Sequence, residues 1–229
     1  MRVLVISDVH SNLEALLEVL GDADGFDLAI CAGDIVGYGP NPSECLRKID
    51  ELGFHSVMGN HDYAIVTGDT SGFNPYAAEA VRINRRLLEA DEVRRLGSLP
   101  MGLNLEIDGV RIQVYHGSPS DPVNEYVFPE EAEAVAEDYL EALDVGLIIL
   151  GHTHIPYVIE TGNGFLMNPG SVGQPRDGDP RASYMLLEIE GSSVKVDHRR
   201  VDYDVDSVAS KMRRMGLPEV LAARLYGGW

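Results

Sequence analysis

The chain has 229 residues, 45% of them hydrophobic, and a formal net charge of −19, so it can bury one sizeable core and nothing in its length requires a second domain. A surface this acidic repels polyphosphate backbones, which argues against non-specific nucleic-acid binding; we attribute the charge to solubility or habitat rather than to an acidic partner site. The N-terminal apolar run Val3-Leu4-Val5-Ile6 is too short for a membrane span and no signal-peptide core precedes it, so a cytoplasmic protein is expected.

Three early segments share one grammar, an apolar strand, a polar turn and an amphipathic helix. They run from Arg2 to Ser7 and then Asn12 to Leu20, from Leu28 to Cys31 and then Pro42 to Leu52, and from His55 to Met58 into a loop at Asn60. Such alternation predicts parallel pairing, with a ligand site beyond the carboxyl ends of the strands. Cys31 and Cys45 are the only cysteines and read as buried, reduced thiols. Residues 74–97 are rich in Ala, Leu, Glu and Arg and predict one or two helices, with Pro75 in a first turn and Gly97 as a stop. Their arginines interleave with Glu79, Glu89, Asp91 and Glu92, the pattern of a salt-bridged solvent face.

Leu103 to Ile107 and Val110 to Tyr115, joined by Asp108-Gly109, predict a hairpin that leads directly to His116. A helix from Pro129 to Ala142 and a strand from Leu147 to Leu150 come next. Four further strands, Tyr157 to Glu160, Phe165 to Asn168, Ser183 to Ile189 and Val194 to Arg200, alternate as antiparallel strands do. The implied fold class is α/β: two packed, mixed β-sheets flanked by helices. We read residues 1–229 as one domain in which 204–229 form a helical tail, frayed at Gly227-Gly228-Trp229 and assigned to packing or to homo-oligomer contact.

Five short clusters recur along this framework: Asp8-Val9-His10, Gly33-Asp34, Gly59-Asn60-His61-Asp62, His116-Gly117 and Gly151-His152-Thr153-His154. Their side chains are the oxygen and imidazole donors of a two-metal hydrolytic site, with no thiolate among them, which favours manganese, iron, nickel, cobalt or zinc in a catalytic role over structural zinc. In an extended segment, residues i and i+2 project to one side, so Asp8 with His10, and His152 with His154, are expected to reach the metals together. Taken singly, Asp8 and Asp34 could cap helices, Asn60 could be a turn residue and His116 a core histidine; it is their joint placement at strand ends that points to metal.

The series resembles the calcineurin-like metallophosphoesterase superfamily, from residue 3 to about residue 190. The stretches Asp8 to Leu16, Ala32 to Pro40 and Asn168 to Arg176 are similar to its small prokaryotic phosphodiesterase branch. The resemblance implies a four-layer αββα sandwich, with Asp8, His10, Asp34 and His154 on one divalent ion and Asp34, Asn60, His116 and His152 on a second. Asp34 would bridge them, and manganese would be the leading candidate for both ions. Two divalent ions against two carboxylates leave about +2, and a bridging hydroxide, the nucleophile for in-line attack, about +1. In the family the histidine corresponding to His61 protonates the leaving oxygen, and Asp62 is expected to orient it by accepting a ring hydrogen bond.

Serine/threonine phosphatases and symmetrical dinucleoside tetraphosphatases of this superfamily carry Asp-Arg-Gly shortly after the Gly-Asp, where this chain has Gly37-Tyr38-Gly39. A protein phosphatase is therefore not expected. Tyr38, Arg176 and Arg181 are the candidates for substrate contact, the arginines either as a phosphate clamp or as surface partners of Asp177 and Asp179. The expected function is a two-metal phosphodiesterase acting on a small phosphoester such as a nucleotide derivative. The alternatives are a phosphomonoesterase, a dinucleoside polyphosphate hydrolase, or, in another class, a non-catalytic scaffold on the same fold.

Overall fold

The computed structural model describes all 229 residues. Strand β1 (Arg2–Ile6) leads to α1 (Leu13–Ala23), where the Asn12 side chain caps the first turn by accepting from the amide of Ala15. Strand β2 (Leu28–Cys31) leads to α2 (Pro42–Glu51), and β3 (His55–Ser56) to α3 (Asn60–Thr67). The loop expected at Asn60 is thus the start of a helix, because the Asp62 carboxylate accepts from the Gly59 amide and closes its first turn. Helices α4 (Pro75–Leu87) and α5 (Ala90–Gly97) precede the hairpin β4 (Gly102–Ile107) and β5 (Val110–Tyr115). Then come α6 (Pro129–Leu143), β6 (Leu147–Ile149), β7 (Tyr157–Glu160), β8 (Phe165–Asn168), β9 (Ala182–Glu190), β10 (Ser193–Val201), α7 (Val205–Arg214) and α8 (Glu219–Arg224).

The strands form two sheets of five, ordered β10-β9-β1-β2-β3 and β4-β5-β6-β8-β7. In the first, β1, β2 and β3 are parallel, while β9 runs antiparallel to both β1 and β10. In the second, β5, β6 and β8 are parallel, and β4 and β7 are antiparallel edges. Two features depart from the sequence-based expectation: β8 inserts between β6 and β7, parallel to the first and antiparallel to the second, and β9 returns to the first sheet. The long buried run of β9 explains its place. Met185, Leu187 and Ile189 face the other sheet, while Ala182, Tyr184 and Leu186 face the helices, so only a central position covers both sides.

The same sorting governs β1, whose Val3 and Val5 enter the core between the sheets while Leu4 and Ile6 enter the core under α1 and α2. Each such side chain stabilises the fold by about 1.5–3 kcal/mol when fully buried, so a one-residue slip in register would misplace the whole set. On the far side, Ala132, Ala136 and Leu140 of α6 cover Ile148 and Leu166. The result is helices, sheet, sheet, helix. No helix is long and apolar enough to cross a membrane.

The C-terminal helices pack through Val208, Met212, Leu221 and Leu225 against Tyr38 and against Ala77 and Ala80 of α4. The end of the chain is docked rather than frayed, since the Gly228 carbonyl accepts from the Gly178 amide at 2.8 Å and the Trp229 ring lies under the Arg224 guanidinium.

Candidate metal centre

Every metal-ligand candidate lies just past a strand end or at the first residue of the helix after it. Asp8 and His10 follow β1, Asp34 follows β2, Asn60 opens α3 after β3, His116 follows β5, and His152 and His154 follow β6. The backbone there is not extended. Asp8, His10, Asp34, His152 and His154 all have left-handed φ, between 48° and 69°, which non-glycine residues adopt at a cost of about 1–3 kcal/mol and which clusters at functional sites. The i, i+2 alternation of a strand is therefore not what aims these side chains. Tight turns do so, held by hydrogen bonds from the Asp8 amide to the Gly33 carbonyl and from the His10 amide to the Asp34 carbonyl, each 3.0 Å. Gly59 is needed for the same closeness, because a Cβ on it would stand 2.1 Å from Asp34 Oδ1.

Two nests result. In the first, His10 Nε2 and His154 Nε2 stand 3.1 Å apart, and Asp8 Oδ1 lies 3.2 Å from the latter and 3.6 Å from the former. In the second, His116 Nε2 lies 3.1 Å from His152 Nδ1, 3.2 Å from Asn60 Oδ1 and 3.3 Å from Asp34 Oδ2. Asp34 Oδ2 is also 3.6 Å from His10 Nε2, so one carboxylate oxygen reaches both nests. Its other oxygen accepts from the His61 amide at 2.8 Å, which fixes the orientation.

The chemistry of the facing nitrogens tests whether cations fit. The other ring nitrogen of each imidazole meets a carbonyl, which can only accept: His10 with Val36, His154 with Gln174, His116 with Ala32 and His152 with Asn124. Each is therefore already a donor, and each facing pair of nitrogens needs one positive charge between them, a proton or a metal ion. Asp8 Oδ1 makes the same demand, being fully buried with no hydrogen-bond donor, whereas Oδ2 accepts from Ser7 Oγ and the His152 amide. The donor set fits two divalent ions.

Charge follows suit. Burial opposes ionisation of Asp8 and Asp34, but His154 and His10 around the first and His116 and His61 around the second hold both carboxyls below their usual range. Burial also disfavours charge on His116, yet the Asp34 carboxylate prevails and, with help from Asp8, raises its pKa to about 9. His152 is lowered to about 4, by burial and then by His116. The Asp34 carboxylate thus favours a positive charge in the second nest, which a proton or a metal ion can supply.

A cavity of about 370 Å³ opens over this centre, lined by Asp34, Asn60, His152 and His154 together with His61, Tyr38 and Arg176. His61 is buried against Tyr38, Phe73 and His10, with ring centroids 4.3, 4.7 and 4.8 Å away. Its Nδ1 has no partner, and burial lowers the pKa of the ring. Asp62 does not touch that ring, contrary to expectation. As the third residue of α3 its carboxylate points back under the helix and accepts from the amides of Ile35, Val36 and Gly59, and its pKa is raised to about 7 by burial and then by Asp34. Arg176 Nη2 donates to Tyr38 Oη and Gln174 Oε1, each 3.2 Å away. Arg181 is not brought to the cavity; it is exposed and engaged by Asp179 in a bidentate pair.

Phe73, Asn124 and Tyr126 lie outside every motif, and Gln174, inside the Asn168 to Arg176 stretch, had no role assigned to it. Tyr126 stacks on His152 with centroids 3.7 Å apart, and the Asn124 and Gln174 carbonyls fix the ring nitrogens of His152 and His154. Asn124 and Tyr126 belong to an irregular stretch between β5 and α6, where only the aromatic pair Tyr126 and Phe128 offered a signal.

Residues 1–192 match the calcineurin-like phosphoesterase superfamily domain, and the chain belongs to that superfamily. Among its relatives, the Methanocaldococcus jannaschii protein MJ0912 is 39% identical, covering 99% of this chain and 98% of its own. The phosphodiesterase YfcE of Escherichia coli is 25% identical over 85% of this chain and 91% of its own. The crystal structure of a metallophosphoesterase from Sphaerobacter thermophilus is similar throughout, with a TM-score of 0.85 and 38% identity over 100% of this chain and 99% of that one. The protein PH1004 from Pyrococcus horikoshii OT3 shares the fold at a TM-score of 0.91 and 22% identity, covering 100% of this chain and 98% of its own.

Proposed function

We propose that the protein is a cytoplasmic phosphodiesterase that hydrolyses small phosphodiesters, such as nucleotide derivatives, with two divalent transition-metal ions, manganese foremost. The observation that carries this reading is the pair of nests: two sets of facing imidazole nitrogens, each calling for a positive charge between them, joined by one carboxylate oxygen of Asp34. Asp8, His10, Asp34 and His154 would hold one ion, and Asp34, Asn60, His116 and His152 the other. Ions held there supply Lewis acidity toward phosphoryl oxygens and lower the pKa of water.

The chain's own residues do the rest. His61 stands in the cavity wall with Nδ1 packed toward Gly37, so Nε2 is the atom that would pass a proton to the leaving oxygen. Asp62 holds the turn under the site through three backbone amides and so fixes the start of α3, from which Asn60 and His61 project. Phe73 and Tyr126 give the cavity an apolar wall against which the organic part of a substrate would pack. Tyr38, standing where relatives with Asp-Arg-Gly have a phosphate-gripping arginine, favours a singly charged diester over a monoester dianion. Retention of the full ligand set speaks against a scaffold without turnover.

The test compares kcat/KM for bis-p-nitrophenyl phosphate and p-nitrophenyl phosphate at equal manganese loading. A diester preference is expected. A tenfold monoester advantage would promote the phosphomonoesterase alternative, and full activity in metal-free protein would overturn the metal reading itself.

A further inference from the structure

We propose that Tyr126 is a stacking platform for a nucleobase, so that the substrate is a nucleotide diester whose base lies on the arm that stays attached to phosphorus. The inference rests on the proposed diesterase reading and deepens it by naming the group recognised and the residue that recognises it. Besides Tyr38, two aromatic side chains line the cavity, one at each nest. Phe73 packs on His61 with centroids 4.7 Å apart, and His61 in turn stands 4.8 Å from His10 of the first nest. Tyr126 lies nearly parallel to His152 of the second nest, with centroids 3.7 Å apart and 20° between the planes. Because His61 is the group that would meet the leaving oxygen, the leaving arm is directed to the Phe73 side, and the retained arm is the one left to reach Tyr126.

The stretch that carries Tyr126 is irregular but tightly tied. The Gly117 amide donates to the Pro122 carbonyl at 2.8 Å, Asp121 Oδ1 accepts from the amides of Val123 and Asn124, and the Tyr157 hydroxyl donates to the Val127 carbonyl. Val123 and Val127 are buried, yet Tyr126 between them is 45% exposed, and Phe128 is 39% exposed with its ring plane within 7° of the Tyr126 plane. Two parallel rings left partly in water, on a backbone already fixed, would gain a planar partner at little cost in conformational freedom. The rest of the lining disfavours a purely aliphatic arm. Asn74 and Asn124 stand in the same cavity, and Asn74 Nδ2 has no acceptor within the protein, while its Oδ1 is taken by the amides of Tyr76 and Ala77. A base offers a flat apolar face to the rings and polar edges to such amides, whereas a lipid chain offers neither.

The experiment uses manganese-loaded full-length protein and two esters that differ only in the base: thymidine 5′-(p-nitrophenyl phosphate) and the same ester with hydrogen in place of thymine. The thymidine ester is expected to have a KM lower by about tenfold, the scale of one base–aromatic stack. Tyr126→Leu, which keeps an apolar side chain without a ring, should bring the two esters to within about threefold of each other, whereas Tyr126→Phe, which keeps the ring, should retain the preference. Because Tyr126 rests on His152, metal content is measured for each variant; a loss of metal lowers both esters alike and leaves their ratio readable. Calorimetric binding of thymidine 5′-monophosphate against its counterpart without the base should show the same ranking in the unmodified protein without turnover. Equal KM and equal binding for these pairs would overturn the platform, as would a preference that survives Tyr126→Leu. So would a cyclohexylmethyl p-nitrophenyl ester with a KM as low as that of the thymidine ester, the mark of an apolar wall that does not select a base. Continued metal-dependent hydrolysis of bis-p-nitrophenyl phosphate in any of these cases would leave the diesterase reading standing.

Discussion

The two sheets contribute different chemistry to the same centre. The first, through the ends of β1 and β2 and the start of α3, provides both carboxylates, the Asn60 amide and a single imidazole, His10; the second, through β5 and β6, provides imidazoles alone. Neither nest is complete on one sheet, since His154 joins Asp8 and His10, while His116 and His152 join Asp34 and Asn60. The division teaches that charge balance is set by one half of the molecule and the closing of the nests by the other. Docking of the sheets through Val3, Val5, Ile112 and Ile149 is then a condition for any ion to bind.

The hardest blow to this arrangement is Asp34→Ala, which removes the one oxygen shared by both nests. Turnover of bis-p-nitrophenyl phosphate should fall by about 10³-fold or more, several kcal/mol of lost charge stabilisation, and metal content should fall with it. Two ions retained at full activity would break the claim that the first sheet bridges them.

His61→Ala comes next and separates binding from proton transfer. Diesters with poor alkoxide leaving groups should lose about 10²-fold more rate than those releasing p-nitrophenolate, which scarcely needs a proton. Equal losses on both kinds of ester would reduce His61 to a packing residue beside His10.

Single imidazoles of the second sheet sharpen the contrast. His154→Ala and His116→Ala should each cost about one equivalent of metal and at least the 10–100-fold in affinity typical of partners one step further out. If either variant released both ions, the nests would be one cooperative site rather than two joined at Asp34.

The smallest effect is on stability. Because each nest takes ligands from both sheets, bound ions should clamp them together by about 2.7 kcal/mol at a hundredfold excess over Kd, and chelation should lower Tm by about 5–10 °C. An unchanged Tm measured by calorimetry would mean that the sheets dock equally well without the ions.

Much of this was legible in the sequence. The apolar strands alternate with polar turns at fixed places, and a carboxylate or imidazole at the end of a parallel strand has only one end of the sheet to occupy, so Asp8, Asp34 and Asn60 were bound to converge. His116 and His154 could be added because their clusters also follow apolar runs. Less legible was how the side chains are aimed. The left-handed turns at Asp8, His10, His152 and His154 depend on hydrogen bonds from segments far away in the chain, among them the Gly173 amide to the Asp8 carbonyl. The fate of Asp62 escaped for a similar reason: a capping carboxylate and an imidazole partner share the same local sequence, and only the amides of Ile35 and Val36, brought across from the next turn, decide between them.

Most elements and the candidate ligand set could be read from the sequence, because apolar periodicity and donor type are local properties. It took the tertiary fold to settle that β9 enters the first sheet, that Arg181 is held by Asp179 while Arg176 lines the cavity, and that the C-terminal helices pack against Tyr38. Those outcomes depend on which distant faces bury one another and which charges find partners, and neither is encoded in the spacing of neighbouring residues.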